Sequence, residues 1–133
     1  MQNQTINTQY VKSKYNQPIS DTTPENNIKD TIQIFLPSTK NINQPLTIAE
    51  QQALKINAGE HFTKLYGGCT FYKAEGFYKI EEKQIIEDIT ICETFLTISE
   101  KVIKDLRTYA KKIKNAYTQE SILIKYNNRV EFI

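Results

Sequence analysis

The side chains best able to do chemistry in this sequence lie between residues 61 and 93. The stretch IIEDITICETFL, residues 85 to 96, carries Glu87 and Glu93 among isoleucines. Read as a strand, it sends alternate side chains to opposite faces. Ile85, Glu87, Ile89, Ile91, Glu93 and Phe95 form the more apolar row, which is expected to meet helices. Ile86, Asp88, Thr90, Cys92, Thr94 and Leu96 form the other. A carboxylate buried without a partner is expensive or stays protonated. Glu87 and Glu93 are therefore expected at the rim of the face, paired, or in a site. Paired carboxylates can divide acid and base work.

Just upstream, LYGGCTFYKAEGFYKI holds three of the four glycines. Gly67 and Gly68 follow a helix end, whose carbonyl-rich pole repels anions, so they are no phosphate loop. Gly76, inside a strand, predicts a bulge or a close backbone approach. The candidate ligand-binding residues are Gly67, Gly68, Thr70, Tyr78, Glu87 and Glu93, where the acidic strand meets the glycines and Tyr78. No catalytic residue is assigned. One histidine, His61, cannot build a zinc site by itself, and a partly buried position near a helix end is its expected role. No metal or cofactor is expected. Counting from the hairpin turn puts Cys69 opposite Thr94 or Phe95 rather than Cys92, so no disulfide is expected.

These residues need elements to position them. TIQIFLP reads as a first strand, 31 to 36, ended by Pro37. In LTIAE, Thr47 and Glu50 make a capping box that opens a helix. That helix should run to Tyr66, stop at Gly67, and turn Leu54, Ala58, Phe62 and Leu65 to the core. LTISE, 96 to 100, echoes it. Thr97 and Glu100 should open a second helix with an apolar stripe through Leu106, Tyr109, Ala110 and Ile113 and a lysine-rich back. Between the helices lie strands 69 to 80 and 85 to 96, joined by EEKQ. SILIKY, an Asn-Asn turn and RVEFI follow. Strand–helix–strand twice over is an α+β, ferredoxin-like two-layer sandwich with a short extra C-terminal strand and both helices on one face of an antiparallel sheet.

The chain has 133 residues, 39% of them apolar, with a formal charge of +2. One domain is expected, over 30 to 133. Residues 1 to 29 are rich in Asn, Gln, Ser and Thr and are expected to form a flexible polar tail. The weak charge gives no field for nucleic acid. No apolar run is long enough for a membrane span, and no secretory signal opens the chain. With two cysteines and no disulfide framework, a cytoplasmic protein is the expectation.

Five stretches, IQIFLP, LYGGCT, GFY, IIEDITICETF and QESILIKYNN, resemble a family of small uncharacterised bacterial domains. The resemblance spans about residues 31 to 133. It implies a ferredoxin-like build and no particular activity. Some members are exported as lipoproteins, but this chain lacks that signal.

The leading expectation for function is a small non-enzymatic binding or regulatory module that engages a protein or small-molecule partner. Self-association through the open sheet face, with Tyr72, Tyr78, Thr90 and Thr94 outward, is part of it. The first alternative is a small lyase, isomerase or hydrolase that uses Glu87 or Glu93. The second is a nucleic-acid module that uses the basic second helix and the aromatic strands.

Overall fold

The computed structural model describes residues 29–133. The expected tail lies outside them apart from Lys29. Nine elements follow in order: β1 (Asp30–Leu36), β2 (Thr39–Lys40), β3 (Gln44–Pro45), α1 (Ile48–Tyr66), β4 (Thr70–Ile80), β5 (Lys83–Leu96), α2 (Glu100–Ala116), β6 (Leu123–Tyr126) and β7 (Arg129–Phe132). Strands β4, β5, β1, β6 and β7 lie side by side in that order, every pair antiparallel. This is the expected α+β, ferredoxin-like sheet with β7 added at one edge. β2 and β3 make a small separate hairpin between β1 and α1.

The single apolar face of β1 sets the core. Ile32, Ile34 and Leu36 are buried beside Leu54, Ala58 and Phe62 of α1 and Leu106, Tyr109, Ala110 and Ile113 of α2. Both helices thus cover one face of the sheet. Leu65, expected in the core, is about half exposed, and Tyr66 packs there instead.

α1 begins as its sequence requires. The Thr47 hydroxyl accepts from the Glu50 N–H, and the Glu50 carboxylate accepts from the Thr47 N–H. Gly67 ends it at φ +92°, in the left-handed region that costs glycine nothing. α2 begins two residues later than expected. Ser99, not Thr97, is its cap and accepts from the Val102 N–H. The Ile98 N–H donates to the Asp30 carboxylate, which holds this segment to the start of β1. The likeness of LTIAE and LTISE therefore does not extend to their caps.

β4 and β5 form a long hairpin. Its register runs without interruption from Thr70 opposite Glu93 to Ile80 opposite Lys83. No bulge occurs at Gly76. The turn is only Glu81 and Glu82, with Glu81 at φ +56°.

Candidate functional site

Register decides which face carries the acids. Ile34 lies opposite Cys92, and Gln33 opposite Glu93. The helix-facing row of β1 therefore pairs with the even positions of β5: Cys92 and Thr94 are buried there. The odd row, with Glu87 and Glu93, lies on the face the helices leave open. This reverses the expected parity. A one-residue difference in register exchanges the faces of a strand, and β5 is apolar enough on both sides for either choice. Neither acid lies beneath the helices. Of the four residues expected outward together, Tyr72 and Tyr78 are on the open face, whereas Thr90 and Thr94 belong to the helix side.

The open face is built of cross-strand rows. Thr70, Glu93, Gln33 and Lys125 are successive partners across β4, β5, β1 and β6. Tyr72 pairs with Ile91, Ala74 with Ile89, Gly76 with Glu87 and Tyr78 with Ile85. Glu87 and Glu93 are six residues apart on one strand, about 20 Å at roughly 3.3 Å per residue. The residues expected to form a single site therefore fall into two separate groups. Glu93 and Thr70 stand at one end, just past Gly67 and Gly68. Tyr78 and Glu87 stand at the other. No side chain crowds either glycine of the pair.

At the Tyr78 end, glycine shapes the site. A Cβ on Gly76 would lie 2.7 Å from the Tyr78 hydroxyl and 2.8 Å from both Tyr78 Cε2 and Ile89 Cδ1. The missing side chain lets the phenol fold back across β4 toward Glu87. Close approach, not a bulge, is what Gly76 provides. Burial pushes the Glu87 carboxyl above its ordinary range, and a hydrogen bond with Ser38 offsets part of that rise. Burial also raises the Tyr78 hydroxyl, and the nearby Glu87 charge raises it further. Phe77, Ile85 and Ile86 are exposed around this end of the hairpin. The result is a partly desolvated carboxyl beside a phenol, with Ala74, Ile85 and Ile89 as its neighbours on the same face. A carboxyl so perturbed is a candidate acid, base or cation partner.

At the other end, Gln33 donates through Nε2 to Glu93 Oε2 at 2.5 Å and to the Tyr72 hydroxyl at 2.7 Å. The Tyr72 hydroxyl donates to the same Glu93 oxygen at 3.3 Å. Gln33, Tyr72 and Lys125 were not anticipated from the sequence. Gln33 carried a signal, however: it is the one polar side chain inside IQIFL.

The remaining reactive groups are structural. His61 Nε2 is 3.2 Å from Asp105 Oδ2, and its ring stacks on Tyr109 with centroids 3.9 Å apart. The Tyr66 hydroxyl donates to the same carboxylate oxygen. His61 thus ties α1 to α2, as a partly buried histidine should. Both cysteines are free. Cys92 opposes Phe71, not Cys69, and burial and the Cys69 thiol push its own thiol upward. Among the described residues no group of three or more ligating side chains could hold a metal ion.

No family model matches this chain, and no curated protein matches it. Two solved structures share the fold. A phage SAM lyase in complex with S-methyl-5'-thioadenosine aligns with a TM-score of 0.59 at 13% identity, over 88% of this chain and 95% of that one. The phage SAM lyase in its apo state aligns with a TM-score of 0.60 at 15% identity, over 86% and 95%. These neighbours correct the expectation of a non-enzymatic binding module. Both of these structures are of an enzyme, aligned over 95% of its length, and they favour the enzyme alternative over the binding module.

Proposed function

We propose that this chain is a lyase that cleaves a carbon–sulfur bond of S-adenosylmethionine or a similar sulfonium, with Glu87 and Tyr78 at the reacting centre. The structural likeness to SAM lyase carries the reading, because it covers nearly all of both chains and names a substrate class that this sheet face suits. A sulfonium is a cation with an apolar periphery. The Glu87 end offers one carboxyl, the face of one phenol and the exposed Ile85 opposite Tyr78. A cation is attracted to the carboxylate by charge and to the ring by its quadrupole. S-Methyl-5'-thioadenosine is what remains of S-adenosylmethionine when the bond from sulfur to the amino-acid chain breaks.

The bond's electron pair leaves with sulfur, which becomes a neutral thioether. A lyase adds no water, so the replacing pair comes from within the substrate. In one route the substrate's own carboxylate closes on the carbon that sulfur leaves and forms a cyclic ester. In the other, Glu87 takes a proton from the neighbouring carbon and an alkene forms. Ring closure asks the protein to fold the substrate and hold its charge, a positioning effect. Elimination asks Glu87 to act as base. Either role needs Glu87 ionised. Because its carboxyl is raised, the rate should climb with pH above the ordinary carboxyl range.

The test is incubation of the full chain with S-adenosylmethionine and detection of S-methyl-5'-thioadenosine by chromatography. The two amino-acid products are isomers, which NMR separates. Glu87→Gln should abolish the elimination route and slow ring closure. Absence of the thioether at every pH tried, with correctly folded protein, refutes the proposal.

A further inference from the structure

Glu93, about 20 Å from Glu87 along β5, belongs to a second place on the sheet. There the open face dips into a polar groove of about 530 Å³ lined by Asp30, Thr31, Gln33, Glu93, Lys125 and Asn127. We propose that this groove binds the charged head of a small polar α-amino acid, its ammonium on Glu93 and Gln33 and its carboxylate on Lys125. The inference goes beyond the sulfonium reading and does not rest on it.

Three observations carry it. First, opposite charges face each other across one strand. Lys125 and Glu93 are the two cross-strand partners of Gln33, so their backbones are two strand spacings apart, about 10 Å. Two long side chains reaching inward from that distance leave room for a zwitterion rather than for a direct ion pair. Lys125 indeed forms no ion pair or hydrogen bond among the described residues.

Second, the acceptor side is held in place. Gln33 spends Nε2 on Glu93 and Tyr72, and Tyr72 donates to Glu93 as well. Those bonds engage one oxygen of the Glu93 carboxylate. Glu93 Oε1 and Gln33 Oε1 remain as acceptors without a donor among the described residues. An ammonium has three donors and no acceptor, which suits that pair. Third, the floor of the groove is anchored. Asn127 donates to Asp30 at 3.1 Å and accepts from the Thr31 N–H at 3.1 Å. Burial of an apolar side chain is not provided for, so the ligand's side chain should be small and polar.

The test is backbone-amide NMR of the full chain titrated separately with glycine, L-serine and L-asparagine. Saturable shifts at Gln33, Glu93 and Lys125 are expected from at least one of them. N-Acetyl-L-serine lacks the ammonium and L-serine amide lacks the carboxylate, so neither should bind. Lys125→Met and Glu93→Gln should each weaken binding about tenfold or more, as loss of a charged hydrogen bond does. Glu87→Gln should leave it unchanged, which separates this site from the sulfonium site. Three results would each overturn the proposal: no shift from any probe at about 10 mM, a range that reaches beyond millimolar affinity; equal binding of N-acetyl-L-serine; or undiminished binding by both groove variants.

Discussion

Gly76→Ala isolates the contact on which the proposed reacting centre depends. The added methyl would sit 2.7 Å from the Tyr78 hydroxyl and 2.8 Å from Tyr78 Cε2 and Ile89 Cδ1, where carbon contacts prefer about 3.5–4.0 Å. Something must move by close to an ångström. The Tyr78 ring can, because it is 44% exposed and hinged at its Cβ, and the end of the Ile89 side chain must turn aside as well. Backbone strain does not enter, since Gly76 is not in the left-handed region. Overpacking typically costs about 1–3 kcal/mol, and a mobile ring end keeps this case near the lower figure. Removing glycine returns roughly 0.4–1 kcal/mol through the unfolded chain. Net stability should change by less than about 1 kcal/mol, a few degrees in Tm.

The effect on the site should be larger. With the phenol swung away, the Glu87 carboxyl meets water and its titration moves down toward the ordinary value. Release of S-methyl-5'-thioadenosine should fall about tenfold or more, to the level of Tyr78→Ala, as a misplaced catalytic neighbour implies. The decisive measurement is the double variant. If displacement of Tyr78 is the whole effect, Gly76→Ala with Tyr78→Ala should be no slower than Tyr78→Ala alone. Additive losses, or a Gly76→Ala protein with unchanged rate and unchanged Glu87 titration by carboxyl ¹³C NMR, would refute this account.

Two further expectations concern stability. Ser99→Ala should cost about 0.5–2 kcal/mol through loss of the α2 cap, whereas Thr97→Ala should stay within about 0.5 kcal/mol as an ordinary surface change; denaturant unfolding of both distinguishes them, and equal losses would contradict the cap. Glu131 is held down to about 2 by the Arg107 guanidinium, which it meets at 2.6 and 2.8 Å, and by the Tyr126 hydroxyl. A lowered carboxyl contributes stability that is complete above its unfolded value and is lost as pH falls toward its folded one. Melting followed from pH 6 down to about 2 should therefore show an acid-dependent loss that Glu131→Gln removes, of order 1 kcal/mol once screening of the half-exposed arginine is allowed for.

Much of the architecture was legible because it rests on local chemistry. The Thr47–Glu50 capping box, the stop at Gly67 and the stripe through Leu106, Tyr109, Ala110 and Ile113 each act within a few residues. The Ser99 cap was missed because two hydroxyls two residues apart compete, and the long-range bond from Ile98 to Asp30 decides between them. Of the candidate site residues, Tyr78, Glu87 and Glu93 share the face that the helices leave open. Their separation into two groups was not legible, because it is a distance along a strand and not a property of any residue. Gln33, Tyr72 and Lys125 become neighbours of Glu93 only through pairing across β1 and β6.

The clearest division is in β5. By itself the sequence determines that residues 85 to 96 form a long strand with carboxylates at 87 and 93 on one face. It cannot determine which face that is, because isoleucines occupy both. β1 can, since Ile32, Ile34 and Leu36 leave it only one apolar side to bury. When Ile34 pairs with Cys92, every odd residue of β5 turns away from the helices. A slip of one residue would put Glu93 on the helix side, where Cys92 and Thr94 are now buried, at a cost that a small core could not offset. Composition and period thus fixed the strand, and the pairing of two strands far apart in sequence decided that Glu87 and Glu93 are available for chemistry.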